Sequence, residues 1–147
     1  MDSNIFIKIL GFLWALPVTV FGLIYAIIFW TLGWYSFWGF ENVALVWTVR
    51  DDKAPKWLMK AWYGWGGHTI GSVVVLADSP LTAKRILRHE QEHVLQCMRL
   101  GIFQPIMYAL NMLAVKIGCS NLAVYRGNPF EIDARIAADD EILPLER

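Results

Sequence analysis

The chain has 147 residues and balances 13 Lys and Arg against 13 Asp and Glu, so its formal charge is zero. No basic tract interleaved with aromatics offsets that balance, which excludes a nucleic-acid binder of the usual electrostatic kind. Hydrophobic residues reach 56%, with eight tryptophans, above an ordinary soluble domain. The two cysteines, Cys97 and Cys119, form no C-x-x-C pair and read as small buried apolar residues, not as a disulfide framework or zinc knuckle.

The apolar excess lies at the N-terminus. Ile9 to Phe40 contains no Asp, Glu, Lys or Arg, and about 20 apolar residues suffice for a helical span. Ile9 to Phe29 is the expected span, with Pro17 tolerated as a kink. Trp30, Trp34, Tyr35, Phe37, Trp38 and Phe40 then form an expected aromatic belt at the lipid and water boundary. A hairpin that dips in and returns is the rival geometry. The apolar core is too long for a cleaved signal, and bulky aromatics stand where a small-residue cleavage site belongs. Lys8 precedes the span, whereas Arg50, Lys53, Lys56 and Lys60 follow it, which places the C-terminal part in the cytoplasm. Residues 1–40 are thus expected to be a membrane anchor and 41–147 a folded domain.

Within that domain NVALVWTVR reads as a strand, and HTIGSVVVLA, His68 to Ala77, as a second. A polar turn, a short amphipathic piece and a glycine-rich bend separate them. Asp78 to Pro80 looks like a helix start, and the helix should run from Pro80 to Leu100, ending at Gly101. A second, apolar helix is expected around Pro105 to Ile117, and a third from Asn128 to about Glu141. No internal repeat is visible. The fold class is α+β: a transmembrane or interfacial helical segment, then a small antiparallel or mixed sheet packed on helices.

The third region carries the chemistry, in RHEQEHVLQ, Arg88 to Gln96. His89 and His93, four apart, lie one above the other on a helix, so both rings reach one point. H-E-x-x-H is a known way of holding zinc, with the intervening Glu90 placed to act as a base without being a ligand. A solvated charged helix is the plain alternative, and half of a di-iron site would need a second E-x-x-H that is absent. Catalytic zinc takes three protein ligands and keeps one position open. Glu131 in NPFEIDA is the candidate third ligand, with Asp133 as substitute and His68 a weaker choice. Against this, Asn128, Pro129 and Glu131 also fit a capping box, in which Glu131 only satisfies a backbone N–H.

These motifs resemble the zincin metallopeptidases of the gluzincin branch: the strand TIGSVVVLA, the helix LTAKRILRHEQEHVLQ, then YRGNPFEIDA. The resemblance covers about His68 to Ala138. It implies a minimal zincin-like domain, with His89, His93 and Glu131 on Zn2+ and Glu90 as general base. It also implies a strand beside the metal helix that binds a peptide or protein substrate. Many gluzincins place an aspartate four residues after the ligand glutamate, and here that position is Arg135, with Asp133 and Asp139 as substitutes. Tyr125 and His68 are the candidates for stabilising an oxyanion. The expected activity is a zinc endopeptidase anchored in membrane lipid. The alternatives are a zinc hydrolase of non-peptide bonds, or a membrane assembly protein whose metal site is structural or absent.

Overall fold

The computed structural model describes residues 3–118 and 124–140. In chain order the elements are α1 (Ser3–Thr31), β1 (Tyr35–Glu41), β2 (Ala44–Val49), α2 (Lys56–Trp65), β3 (Gly67–Ile70), β4 (Val73–Leu76), α3 (Lys84–Leu100), α4 (Phe103–Gly118) and α5 (Pro129–Ala137). The class is α+β as expected, with one mixed sheet in the order β1-β2-β4-β3. β2 and β4 run parallel, and the outer strands pair antiparallel to them.

Every residue of β4, VVVL, is buried, as a strand covered on both faces requires. On one face Val46, Val74 and Leu76 meet Leu87, Val94 and Cys97 of α3, together with Ala15 and Val18 of α1. On the other, Trp47, Val49, Val73 and Val75 meet Leu58 and Trp62 of α2 and Ala26 of α1. α1 therefore contributes to both halves of the core. Thr19 Oγ1 accepts from Ser72 N at 3.0 Å, and a Cβ at Gly22 would fall 2.4 Å from Ile70 O. Phe12, Leu23, Tyr25 and Phe29 are half-buried against that core, and the outward face of α1 exposes many large apolar side chains. Its stretch Phe6–Thr31 is long and apolar enough to cross a membrane.

Four expectations need correction. The aromatic segment after the span is not simply a belt: Tyr35–Glu41 is the strand β1, with Tyr35 1% and Phe40 73% exposed. Period-2 alternation was obscured because its outward residues are also aromatic, and because a bulge between Phe37 and Gly39 breaks the pairing with β2. The expected single strand His68 to Ala77 is instead a hairpin, β3 and β4, turning at Gly71 and Ser72. Gly71 takes φ +65, and a Cβ there would sit 2.4 Å from Thr19 N, so the turn packs on α1 only because it lacks a side chain.

The third correction is that α3 begins at Lys84, not Pro80. The Ser-Pro signal builds a turn in which Thr82 and Ala83 N–H groups donate to Ser79 O. Finally, α5 ends at Ala137, short of Glu141, because Ala138 closes the helix and Asp139 takes a positive φ of 55. Glu141 itself lies outside the described residues, as does Cys119.

Candidate metal centre

α3 turns two kinds of residue inward. Leu87, Val94, Cys97 and Met98 join the core, while Glu90, His93 and Gln96 are buried polar neighbours at helical spacing. Buried polar groups must find partners, and α5 supplies several of them. Asn128 caps α5 by accepting from Phe130 N at 3.1 Å, and its own N–H goes to Tyr125 O at 3.2 Å. The capping-box role is thus filled without Glu131, whose carboxylate turns toward α3.

There Glu131 Oε1 lies 3.2 Å from His93 Nε2, and Oε2 lies 3.2 Å from His89 Nε2. The two Nε2 atoms are 3.3 Å apart. One donor atom from each of His89, His93 and Glu131 falls within 4.8 Å of the others, a group that can hold a metal ion. Glu131 Oε2 is buried and has no hydrogen-bond partner: His89 approaches it without hydrogen-bonding geometry.

The protonation of His93 follows from its neighbours. Gln96 Nε2 donates to Phe130 O at 2.9 Å, which fixes the amide and leaves Oε1 to face His93 Nδ1, also at 2.9 Å. An oxygen there accepts, so Nδ1 carries the proton, and in the neutral ring Nε2 presents a lone pair to Glu131 and His89. Lone pair, carboxylate and second imidazole at this spacing can hold a cation between them.

Without a cation between them, the same groups pair with one another. Burial alone would raise the Glu131 carboxyl, but the two imidazoles, with Tyr125, hold it well below the usual carboxylate range. Burial would lower His93, yet contact with Glu131 raises it. Glu90 is raised, chiefly by burial, against the pull of His93 and Thr69. Its Oε2 accepts from Thr69 Oγ1 at 2.7 Å. The Oε1 side is kept open by Gly67, where a Cβ would come within 3.1 Å of that oxygen.

Of the remaining candidates, Tyr125 faces Glu131 from the rim of the site and is half exposed. His68 is not one of the donor group, and its ring stacks on Trp62 with centroids 4.1 Å apart, but it lines the cavity beside that group. Burial pushes it down to about 4. Asp133 is exposed, and Asp139 pairs with Arg88 at 2.6 Å. Neither takes the orienting role at His93, which Gln96 fills. Arg135 is buried and ties α5 to the preceding loop, donating to Glu131 O and Arg126 O.

A cavity of about 730 Å³ opens beside the group, between β3 and α4; Glu90, His93 and Glu131 stand at it together with Gly71, Gln104 and Tyr108. Three functional neighbours were not singled out from sequence. Gln96 lay inside the motif stretch, one turn past His93, and that spacing was the available signal. Thr69 and Tyr108 had none: Tyr108 OH, which donates to Glu131 Oε1 at 2.7 Å, arrives only because the bend between α3 and α4 brings that residue to α5. Comparison with protein-family models, curated proteins and solved structures gives no match.

Proposed function

We propose that the protein is a membrane-anchored zinc metallopeptidase of gluzincin type, an endopeptidase in which His89, His93 and Glu131 hold Zn2+ and Glu90 is the general base. One observation carries this reading: two imidazole nitrogens and an orphaned carboxylate oxygen converge on a point, beside a buried carboxylate outside the donor group. Two His and one Glu leave a tetrahedral position open, the donor count of a catalytic zinc site. Bound zinc supplies a Lewis acid that polarises the scissile carbonyl and acidifies water.

The chain's own residues do the rest. Glu90, raised by burial toward the pH at which it works, takes a proton from the attacking water and returns it to the leaving nitrogen. Thr69 fixes one carboxylate oxygen, so that the other, beside Gly67, is free for the water. Tyr108 and Tyr125 stand at Glu131, and Tyr125, on the rim, is placed to meet a developing oxyanion. One face of α1 packs on the domain from Gly11 to Ala26 while its exposed apolar face meets lipid, so the site works on peptide at the membrane itself, on the side to which Arg50, Lys53, Lys56 and Lys60 point.

Elemental analysis of the purified protein tests the reading. Near-stoichiometric zinc should survive Glu90→Gln and fall away in Glu131→Gln, with peptide hydrolysis lost in both. Wild-type protein prepared without chelators and free of zinc would remove the basis for it. The exposed apolar faces of α1 and α4 favour a second reading, an assembly protein. In that case Glu90→Gln retains full biological function.

A further inference from the structure

α4 offers the domain little packing. None of its residues is buried, and it is tied to the body through Tyr108: the hydroxyl on Glu131, the carbonyl accepting from Asn128 Nδ2, and a ring contact with Phe130. Its polar residues Gln104 and Tyr108 line the cavity. Phe103, Ile106, Met107, Leu110, Leu113 and Ile117 point outward and are each more than 40% exposed. An exposed apolar surface of that extent marks a contact with a membrane or another protein.

Three features choose between those occupants. The first is continuity: at the corner between α3 and α4 a Cβ on Gly101 would fall 2.6 Å from Trp14 Nε1, so α1 packs on the bend. Trp14 is itself half exposed, as are Leu10 and Leu13 within a turn of it on the membrane-compatible helix. The second is charge. From Ile102 to Gly118 the sole Asp, Glu, Lys, Arg or His is Lys116, in the last turn, where its stem can carry the ammonium to anionic headgroups. The third is length. Its 16 residues span about 24 Å at ~1.5 Å per residue, short of the ~30 Å hydrocarbon core, so α4 suits a helix lying in the interface and not crossing it.

We propose that α4 is embedded in one leaflet and forms, with the outer face of α1, a single lipid-contacting surface. The cavity between α4 and β3 then opens at the level of the headgroups. This assignment does not depend on zinc or on hydrolysis.

Site-directed spin labelling tests it on the full chain in vesicles of phosphatidylcholine and phosphatidylglycerol. The background is Cys119→Ser, with Cys97 left in place because it is buried and its thiol is pushed up to about 11. Nitroxides are attached at Leu110→Cys and Leu113→Cys, with Asp133→Cys on exposed α5 as the aqueous reference. Lipid burial makes the first two sites several-fold more accessible to oxygen than to a water-soluble nickel chelate, and reverses that order at the third. Nickel dominating at all three sites overturns the proposal. So does exclusion of both reagents with dipolar broadening between labels, which assigns α4 to contact with a second copy. Unchanged circular dichroism of each labelled chain shows that the fold has survived.

Discussion

α3 and α4 are consecutive helices of similar length, 17 and 16 residues, joined at a bend of 112°. Seven residues of α3 are buried, and three of them, Glu90, His93 and Gln96, are polar. α4 buries none, although its sequence is far more apolar. Hydrophobicity alone therefore does not say which helix belongs inside. What places α3 there is the company its polar groups find: Thr69 for Glu90, Gln96 and Glu131 for His93, Phe130 O for Gln96. A buried polar group without partners costs about 1–3 kcal/mol, and this network closes except at Glu131 Oε2. α4 has no such network, and its apolar side chains await a solvent other than water.

Substitutions can break this contrast. The largest effect is expected at Glu90 in α3. Glu90→Gln should lower kcat for peptide hydrolysis by about 10²–10⁴-fold while the zinc content holds, measured by steady-state kinetics and elemental analysis on the same preparation. Retention of activity would make Glu90 a structural residue. Next is Gln96→Leu, which removes the acceptor at His93 Nδ1 and the bond to Phe130 O. Metal affinity should fall by about 10–100-fold in competition titrations with a chromophoric chelator.

The helices should then differ in how they respond to the loss of apolar atoms. Val94→Ala, at a fully buried position, should cost about 2 kcal/mol in denaturant unfolding, from lost burial plus the cavity left behind. Leu110→Ala, half exposed on α4, should stay within about 0.5 kcal/mol. Equal costs would mean that α4 is covered by protein. A modest effect belongs to α4's own tie to the site. Tyr108→Phe removes one hydrogen bond to Glu131 and should weaken metal binding by about 1 kcal/mol, a few-fold in the same titration. A null result there would mean that the hydroxyl does not tune the metal group and that α4 is held by the Asn128 bond and the Phe130 contact.

What the sequence made legible divides along the same line. Local periodicity identified α3, and the spacing of His89 and His93 showed that their rings share a face. Glu131 was ambiguous between capping and ligation, and sequence had no means of deciding: the outcome turns on where one backbone N–H goes, that of Asn128 to Tyr125 O. β1 escaped because both its faces carry aromatics, so the alternation of exposure in YSFWGFE has no counterpart in hydrophobicity. The turn at Gly71 was hidden in a valine-rich run, since its reason lies in Thr19, distant in the chain. The same distance concealed the part played by α1 in the core. A single apolar helix reads as an anchor, whereas here Ala15, Val18, Thr19 and Ala26 are integral to the fold.

The Gln96 amide also bears on folding. It joins the ring of His93 to the Phe130 carbonyl, so that ring is oriented only after α5 has docked on α3. An ion held by His89, His93 and Glu131 therefore recognises the native chain and finds no equivalent in the unfolded one. By mass action it adds about 2.7 kcal/mol to native stability when free metal stands a hundredfold above its dissociation constant. If the group holds such an ion, the melting temperature reads out available metal, and starvation for the ion removes native stability and the Lewis acid together.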